Sequence, residues 1–374
     1  MPAFTGQLRQ NEIFAALFNM IISQQVFSDN IGKHQTLVDK ARVDGGLFGD
    51  TKLYYATDAL ESAEWGNDAE ATHLLDLHRP DAPACQAIVI DQFRQISLTI
   101  DNYLTKRAFS DEGTFVSFNS VMLGWMRDTK DVYDGTTYNC FVGTATADNT
   151  DNADEVVTYE IDLAADSNSA GENIAARMAD LFTEMGDYSR DYNDYGYLRS
   201  YKPEDIKVIW NAKYINSIKK IDLPSVFHNE ELEKSFVGDV LPARYFGRAL
   251  TEDDFGSGKV IGTDGAYDAT KGTIRALREF IYNNKHYFPG DKLSASGTYI
   301  GVVGGLEAKL VYLEDADIIA KVYVKLPPYM SAFEVATSFF NPKSLTENHY
   351  LTFSHNTLET LKNYPFVTVK AKAE

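Results

Sequence analysis

The stretch "FVSFNSVMLGWMRDTKDVYDG", residues Phe115 to Gly135, decides how the rest of the chain is read. Phe115, Phe118, Met122, Trp125 or Met126, and Val132 or Tyr133 fall three and four apart, which lines apolar groups along one side of an α-helix. Asp111 or Thr114 is placed to cap its start, and Gly135 sits where a left-handed turn ends a helix at low cost. Helical from Phe115 to Asp134, the stretch runs roughly 30 Å at about 1.5 Å per residue. It carries no catalytic set, and so long a helix needs a sheet or another molecule beside it. The expectation is a structural spine.

Composition narrows what that spine serves. With 374 residues and 44% hydrophobic content, the chain buries one large core or two adjoining ones. A formal net charge of −19 argues against nucleic-acid binding as the main task, because neutralising phosphates needs a basic face. Cys85 and Cys140 are the two cysteines; far apart and without partner spacing, they suit a reducing compartment and exclude a disulfide framework. The run Glu12–Phe27 is too short and too interrupted to span a bilayer, and its apolar positions recur at helical spacing, so it reads as an amphipathic N-terminal helix.

Outward from the spine, the pattern alternates between strands and helices without a strict βαβ order. Residues 51 to 86 hold an acidic middle, two prolines and no sustained apolar face, so this segment is expected to project. "QISLTID" alternates Ile96, Leu98 and Ile100 against Ser97, Thr99 and Asp101, the period of a half-buried strand. "VVTYEIDL" reads as another strand, and "SAGENIAARMADLFTEMG" opens with Ser169 and Glu172 at capping-box spacing, a second helix. "IKVIW" is a buried strand that turns at Asn211 into a short helix, and "KGTIRALREFIYNNKHYF" is expected to be a third helix presenting Ile274, Leu277, Phe280 and Ile281. Strands dominate the end, in "KLVYL", "AKVYVKL", "YLTFS" and "FVTVK". The fold class predicted is α+β. In "DYSRDYNDYGYLRSYKPED", Tyr188, Tyr192, Tyr195, Tyr197 and Tyr201 interleave with Asp and Arg; they serve either an interface or the cover of their own domain.

Motifs for chemistry are missing. "GSGK" at Gly256–Lys259 fails as a phosphate loop, since position 253 is Asp and Val follows the Lys. His73 and His78 are five apart, on different helical faces, and His349 and His355 are spaced more loosely still, so no metal site is expected. "DNTDNADEVVTYE" lacks the turn glycine of a calcium loop, and "GTYIGVVGG" lacks the dinucleotide spacing. Asp131/Asp134 and Asp253/Asp254 are read as helix-end and turn carboxylates, leaving a carboxylate-dependent hydrolase or a binding protein as the alternative class. No catalytic residue and no cofactor is assigned.

"IDQFRQISLTIDNYLTKRAFSDEGTFVSFNSVMLGWMRDTKDVYDG" and "DIKVIWNAKYINSIKKIDLPSVFHNEE" resemble segments of the major capsid proteins of tailed bacteriophages, which share the Hong Kong 97-like fold; the resemblance is firmest from Asp44 to Arg248. It implies an N-terminal arm (1–43), an extended loop (44–100), a peripheral domain with the spine helix (101–137 and 307–374) and an axial domain (138–306). It implies a structural subunit, not an enzyme, that forms hexamers and pentamers of an icosahedral head around double-stranded DNA. The partners are then many copies of itself, with scaffold, portal and head-decoration proteins besides, no sequence-specific DNA binding and no membrane. The place is the virion, after assembly in the host cytoplasm. Without a charged helical leader, a separate scaffold or none is expected, and no Lys–Asn cross-link pair stands out. Apolar groups on an arm and loop are buried only by neighbours, which makes Trp65, Arg107, Tyr192 and Tyr195 the candidate interface residues.

Overall fold

The structure, a computed structural model, describes residues 37–46, 51–62, 77, 79–101, 112–146, 158–164, 169–218, 238–250, 272–282, 284–293, 310–332 and 334–372. The chain divides into two compact units: Thr36–Gln92, Tyr133–Phe333 and Ser354–Glu374 form the larger, and the smaller includes Phe93–Val132 and Glu334–Phe353.

The larger unit is built on a five-stranded mixed sheet in the spatial order Thr158–Ile161, Phe366–Ala371, Ile318–Tyr323, Lys207–Asn211, Asp239–Leu241. The two outer pairings are parallel and the two inner ones antiparallel. A register shift between Ile318 and Ala320 resets the alternation of the central strand, after which Ala320 and Val322 share one face and Lys321 and Tyr323 the other. One face packs Val208, Trp210, Val322, Val367 and Val369 against Ile174, Met178, Leu181, Phe182 and Met185 of the helix Ala170–Gly186. That helix starts as its sequence predicts: Ser169 accepts from the Glu172 amide, and the Glu172 carboxylate accepts from the Ser169 amide at 2.8 Å.

The other face, with Ile209, Ile318 and Tyr323, packs on Tyr138 and Val142 of the spine helix and on Leu37, Val38 and Ala41 of a short helix. Leu37–Val43, assigned to the arm, is therefore rooted in this core. The spine helix spans Glu112–Thr144, ten residues beyond the predicted end at Asp134. Gly135 does not stop it, because Tyr138 and Val142 are buried at the sheet and that packing outweighs a glycine's cost of about 1 kcal/mol. The helix also lacks a basic residue in its last turn; the sheet supplies one instead, as Lys321 Nζ donates to Ala145 O at 2.6 Å and Tyr323 OH to Val142 O at 3.1 Å.

Asp134, read as a helix-end carboxylate, lies inside the helix and is fully buried; Tyr329 donates to it at 2.6 Å and Arg42 at 3.1 Å. Residues 274–287 form no helix. Ile274–Ala276 is a strand beside Val311–Glu314, and Phe280–Tyr282 pairs antiparallel with Lys285–Tyr287. Ile274, Ala276, Phe280 and Tyr287 pack with Leu250, Leu293, Val311 and Leu313 in a further, smaller core, while Ile281 is 75% exposed.

The smaller unit holds a three-stranded sheet in the order Glu334–Asn341, Thr346–Asn356, Ile90–Asp101. Thr99 donates to Asn348 at 2.7 Å across it, and Gln95 to Thr352 at 3.0 Å. On the spine helix here, among the residues whose burial is described, Met122, Met126 and Lys130 are buried, four apart, while Trp125 is 51% exposed. Trp125 therefore does not belong to the inner stripe.

Candidate assembly surface

Strand periodicity decides which apolar groups the chain leaves uncovered. In the larger unit, Lys52–Ala56 and Ala84–Ile88 make a two-stranded antiparallel ribbon in which Tyr55 pairs with Cys85 and Leu53 with Ala87. Successive side chains point to opposite faces. Ala56, Gln86 and Ile88 are buried, with Ile88 against Met330 and Leu361, whereas Leu53, Tyr55, Cys85 and Ala87 are exposed. The outward face is thus wholly apolar apart from a thiol and a phenol.

The smaller unit shows the same in stronger form. Every residue of the strand from Glu334 to Phe340 is exposed, on both faces, including Val335, Phe339 (61%) and Phe340. Among the described residues it is an edge strand, with a strand partner on one side only. Phe93, on the third strand, is 64% exposed. Apolar groups repeated along one strand in this way make it the candidate surface for meeting another molecule.

The base of the ribbon is tied to the tyrosine-rich loop. Asp58 accepts from the Leu198 amide at 3.0 Å and the Ala59 amide at 2.8 Å, and pairs with Arg190 at 2.5 Å. The Leu198 amide foremost, then Arg190 and the Ala59 amide, hold its carboxyl well below the usual carboxylate range, at about 2. Of the predicted interface residues, Trp65 and Arg107 lie outside the described residues. Tyr192 is buried in the core of its own unit and donates to Glu184 at 2.6 Å; burial, then that bond, pushes its phenol above the ordinary value. Tyr195 is half-buried and stacks on Tyr197 with ring centroids 5.5 Å apart. In the same loop Tyr188 is 74% exposed.

His355 donates through Nδ1 to the Asn356 carbonyl at 2.8 Å, which leaves Nε2 to accept from Tyr133 OH at 2.9 Å. Cys140 is buried beside Tyr312, and burial pushes its thiol up to about 12. Among the described residues no three His, Cys, Asp or Glu side chains gather as a metal would require, and no helix is long and apolar enough to cross a membrane. His73, His78, Asp253, Asp254 and Gly256–Lys259 lie outside the described residues.

A spine helix, a sheet-centred larger unit, a ribbon and a three-stranded sheet in the smaller unit are the elements of the class, the Hong Kong 97-like capsid fold. The capsid of Staphylococcus phage Andhra shares it with a TM-score of 0.57 at 10% identity, over 100% of this chain and 88% of that one. A chain in a structure described as head fiber and inner core protein gp22 of native bacteriophage P68 does so with a TM-score of 0.59 at 10% identity, over 93% and 87%. At such identities the likeness concerns the fold. The family is given by the sequence profile described as Phi29-like phage major capsid protein, which matches residues 4–369: the chain belongs to that family and is a structural subunit of a phage head shell. No curated protein matches the sequence.

Proposed function

We propose that this subunit assembles with many copies of itself, as hexamers and pentamers, into an icosahedral head that encloses double-stranded DNA, and that it has no catalytic role. The observation that carries this is the strand Glu334–Asn341, exposed along both faces with Val335, Phe339 and Phe340 uncovered. A lone subunit has no use for such a strand; a neighbour gives it both cover and backbone partners. The division into arm (1–43), extended loop (44–100), peripheral domain (101–137 and 307–374) and axial domain (138–306) belongs to this reading, with Leu37–Val43 as the rooted end of the arm. The net charge of −19 suits a container, since a wall that gripped DNA tightly would hinder its packing and release. Scaffold, portal and decoration proteins are the further partners, and the host cytoplasm is the place of assembly. A carboxylate-dependent hydrolase gains no support from Asp134, whose two oxygens are occupied by Arg42 and Tyr329.

The test is negative-stain imaging and sedimentation of the purified chain and of a Phe339→Ser/Phe340→Ser variant. The wild type is expected to form large closed particles. The variant should unfold at the same urea concentration within about 0.5 kcal/mol, since both rings are exposed, yet sediment as free subunits. A wild type that stays monomeric in every condition, or a variant that closes normal shells, refutes the reading.

A further inference from the structure

A two-stranded ribbon has little stability of its own in water. The ribbon Lys52–Ala56/Ala84–Ile88 has one face of mixed polarity and one almost wholly apolar, and the apolar one points outward. Hydrophobic burial alone does not fix the orientation: the inner face carries Tyr54, Ala56, Ala84 and Ile88 and the outer one Leu53, Tyr55 and Ala87, so either offers apolar area to lay down on the subunit. Something directional selects the observed face.

The selecting contacts are polar, and they sit on both strands. After the first strand, Asp58 takes the Leu198 amide and Arg190, while Arg199 donates to Thr57 O at 2.7 Å. On the second strand the buried Gln86 carboxamide acts as a piece of strand backbone: Nε2 donates to Thr360 O and Oε1 accepts from the Lys362 amide, both at 2.9 Å. The two sets of partners are themselves joined, since the Asp194 amide donates to Lys362 O at 3.0 Å and Tyr201 OH to Asn363 O at 3.3 Å. The loop 188–201 and the turn 360–364 are therefore one seat that grips both strands.

We propose that this seat is a positioning device: it holds the ribbon's apolar face outward in the unassembled subunit, so that the surface offered to a neighbouring copy exists before the neighbour arrives. Only the last clause rests on the capsid reading; the hold itself is a property of one chain. Preorganisation of this kind spares the encounter the entropy of ordering the ribbon.

Hydrogen exchange on the isolated, unassembled subunit separates the two. In an Asp58→Ala/Gln86→Ala variant, amides of 52–56 and 84–88 are expected to exchange about tenfold faster or more, while those of 318–323 keep their protection. Unchanged protection of the ribbon overturns the proposal. If the double variant loses protection everywhere, Asp58→Asn decides: it keeps an oxygen for the Leu198 amide but loses the ion pair, so faster exchange confined to the ribbon supports the seat and none overturns it. Wild-type particles that never form defeat the capsid reading and leave this measurement standing. Normal shells with an unaltered ribbon defeat the seat alone.

Discussion

Two strands that lie close together in sequence, Ile318–Tyr323 and Glu334–Asn341, meet opposite surroundings. All six residues of the first are buried, Lys321 among them; seven of the eight in the second are exposed, two phenylalanines among them. Hydrophobicity explains only part of the contrast: "IIAKVY" is more apolar than "EVATSFFN", yet a lysine is inside and two phenylalanines are outside. Place in the sheet explains the rest. The first strand is central, with a helix layer on either face, and its backbone is paired on both sides. The second is an edge with a partner on one side. One chain completes the first environment; in the assembly proposed above, other chains complete the second.

The sharpest way to break the completed region is at Gly143, near the end of the spine helix. A Cβ there would lie 2.1 Å from the Tyr245 carbonyl oxygen and 2.7 Å from its carbon, backbone atoms that cannot swing aside. Gly143→Ala is expected to cost on the order of 3 kcal/mol or more, in the range of severe overpacking, and to lower the urea midpoint accordingly. A midpoint within experimental scatter of the wild type would mean that helix and Tyr245 turn part easily, and that this core is looser than its burial implies.

A smaller effect tests why a lysine is tolerated at the centre. Lys321 donates to Ala145 O and to Thr368 at 2.9 Å, with its ammonium over the Phe366 ring. Burial foremost, then the nearby Lys370, pulls its pKa down to about 7, while Asp315 opposes the shift. The folded state therefore resists the proton that the unfolded chain holds up to about 10.4. Between those values the unfolded chain binds more protons, so stability rises with pH. From pH 7 to pH 9 the gain is on the order of 2 kcal/mol by denaturant titration, and Lys321→Met should remove that slope. Above about pH 10 the trend reverses, because buried phenols such as Tyr323 are held un-ionised in the folded state. A wild type with no rise between pH 7 and 9 would show that the ammonium is well solvated by its carbonyl and ring partners.

Legibility in the sequence follows the same contrast. Where local chemistry and packing agree, the reading holds: the Ser169/Glu172 capping box, the strands "IKVIW" and "FVTVK", and the spine helix itself. Where they disagree, packing wins. Gly135 continues the helix because Tyr138 and Val142 have a sheet to reach. Ile274, Leu277, Phe280 and Ile281 fall at helical spacing, yet Ile274 answers to Leu313 across a strand pair and Phe280 stacks on Tyr287 across a hairpin. Asn284, with φ 57°, is the turn signal that spacing obscured. The candidate assembly surface is the least legible part. Tyrosine enrichment pointed to residues 188–201, where Tyr192 is core, while the exposed strand 334–341 carries no compositional mark: "EVATSFFN" reads as any half-buried strand. Exposure on both faces depends on what the rest of the chain leaves uncovered, which no local pattern encodes.

The smallest effect expected is a gain, and it carries the comparison back into a single helix. Gly124 belongs to the same helix as Gly143 but to the smaller unit, and a Cβ there meets no atom within 4 Å. Alanine in a helix interior is favoured over glycine by up to about 1 kcal/mol, through a less costly unfolded-to-helix ordering. Gly124→Ala should therefore raise the urea midpoint of the isolated subunit slightly, where Gly143→Ala lowers it strongly. Its effect on assembly is then informative by itself. If the stabilised variant still closes particles, the space beside Gly124 is open in the shell as well as in the subunit. If it is more stable yet fails to assemble, a neighbouring copy approaches the helix backbone at that turn, next to Val121 and Trp125, both half-exposed in the lone chain. A loss of subunit stability instead would mean that the helix at Gly124 uses a backbone geometry alanine resists, contrary to the regular helix seen there.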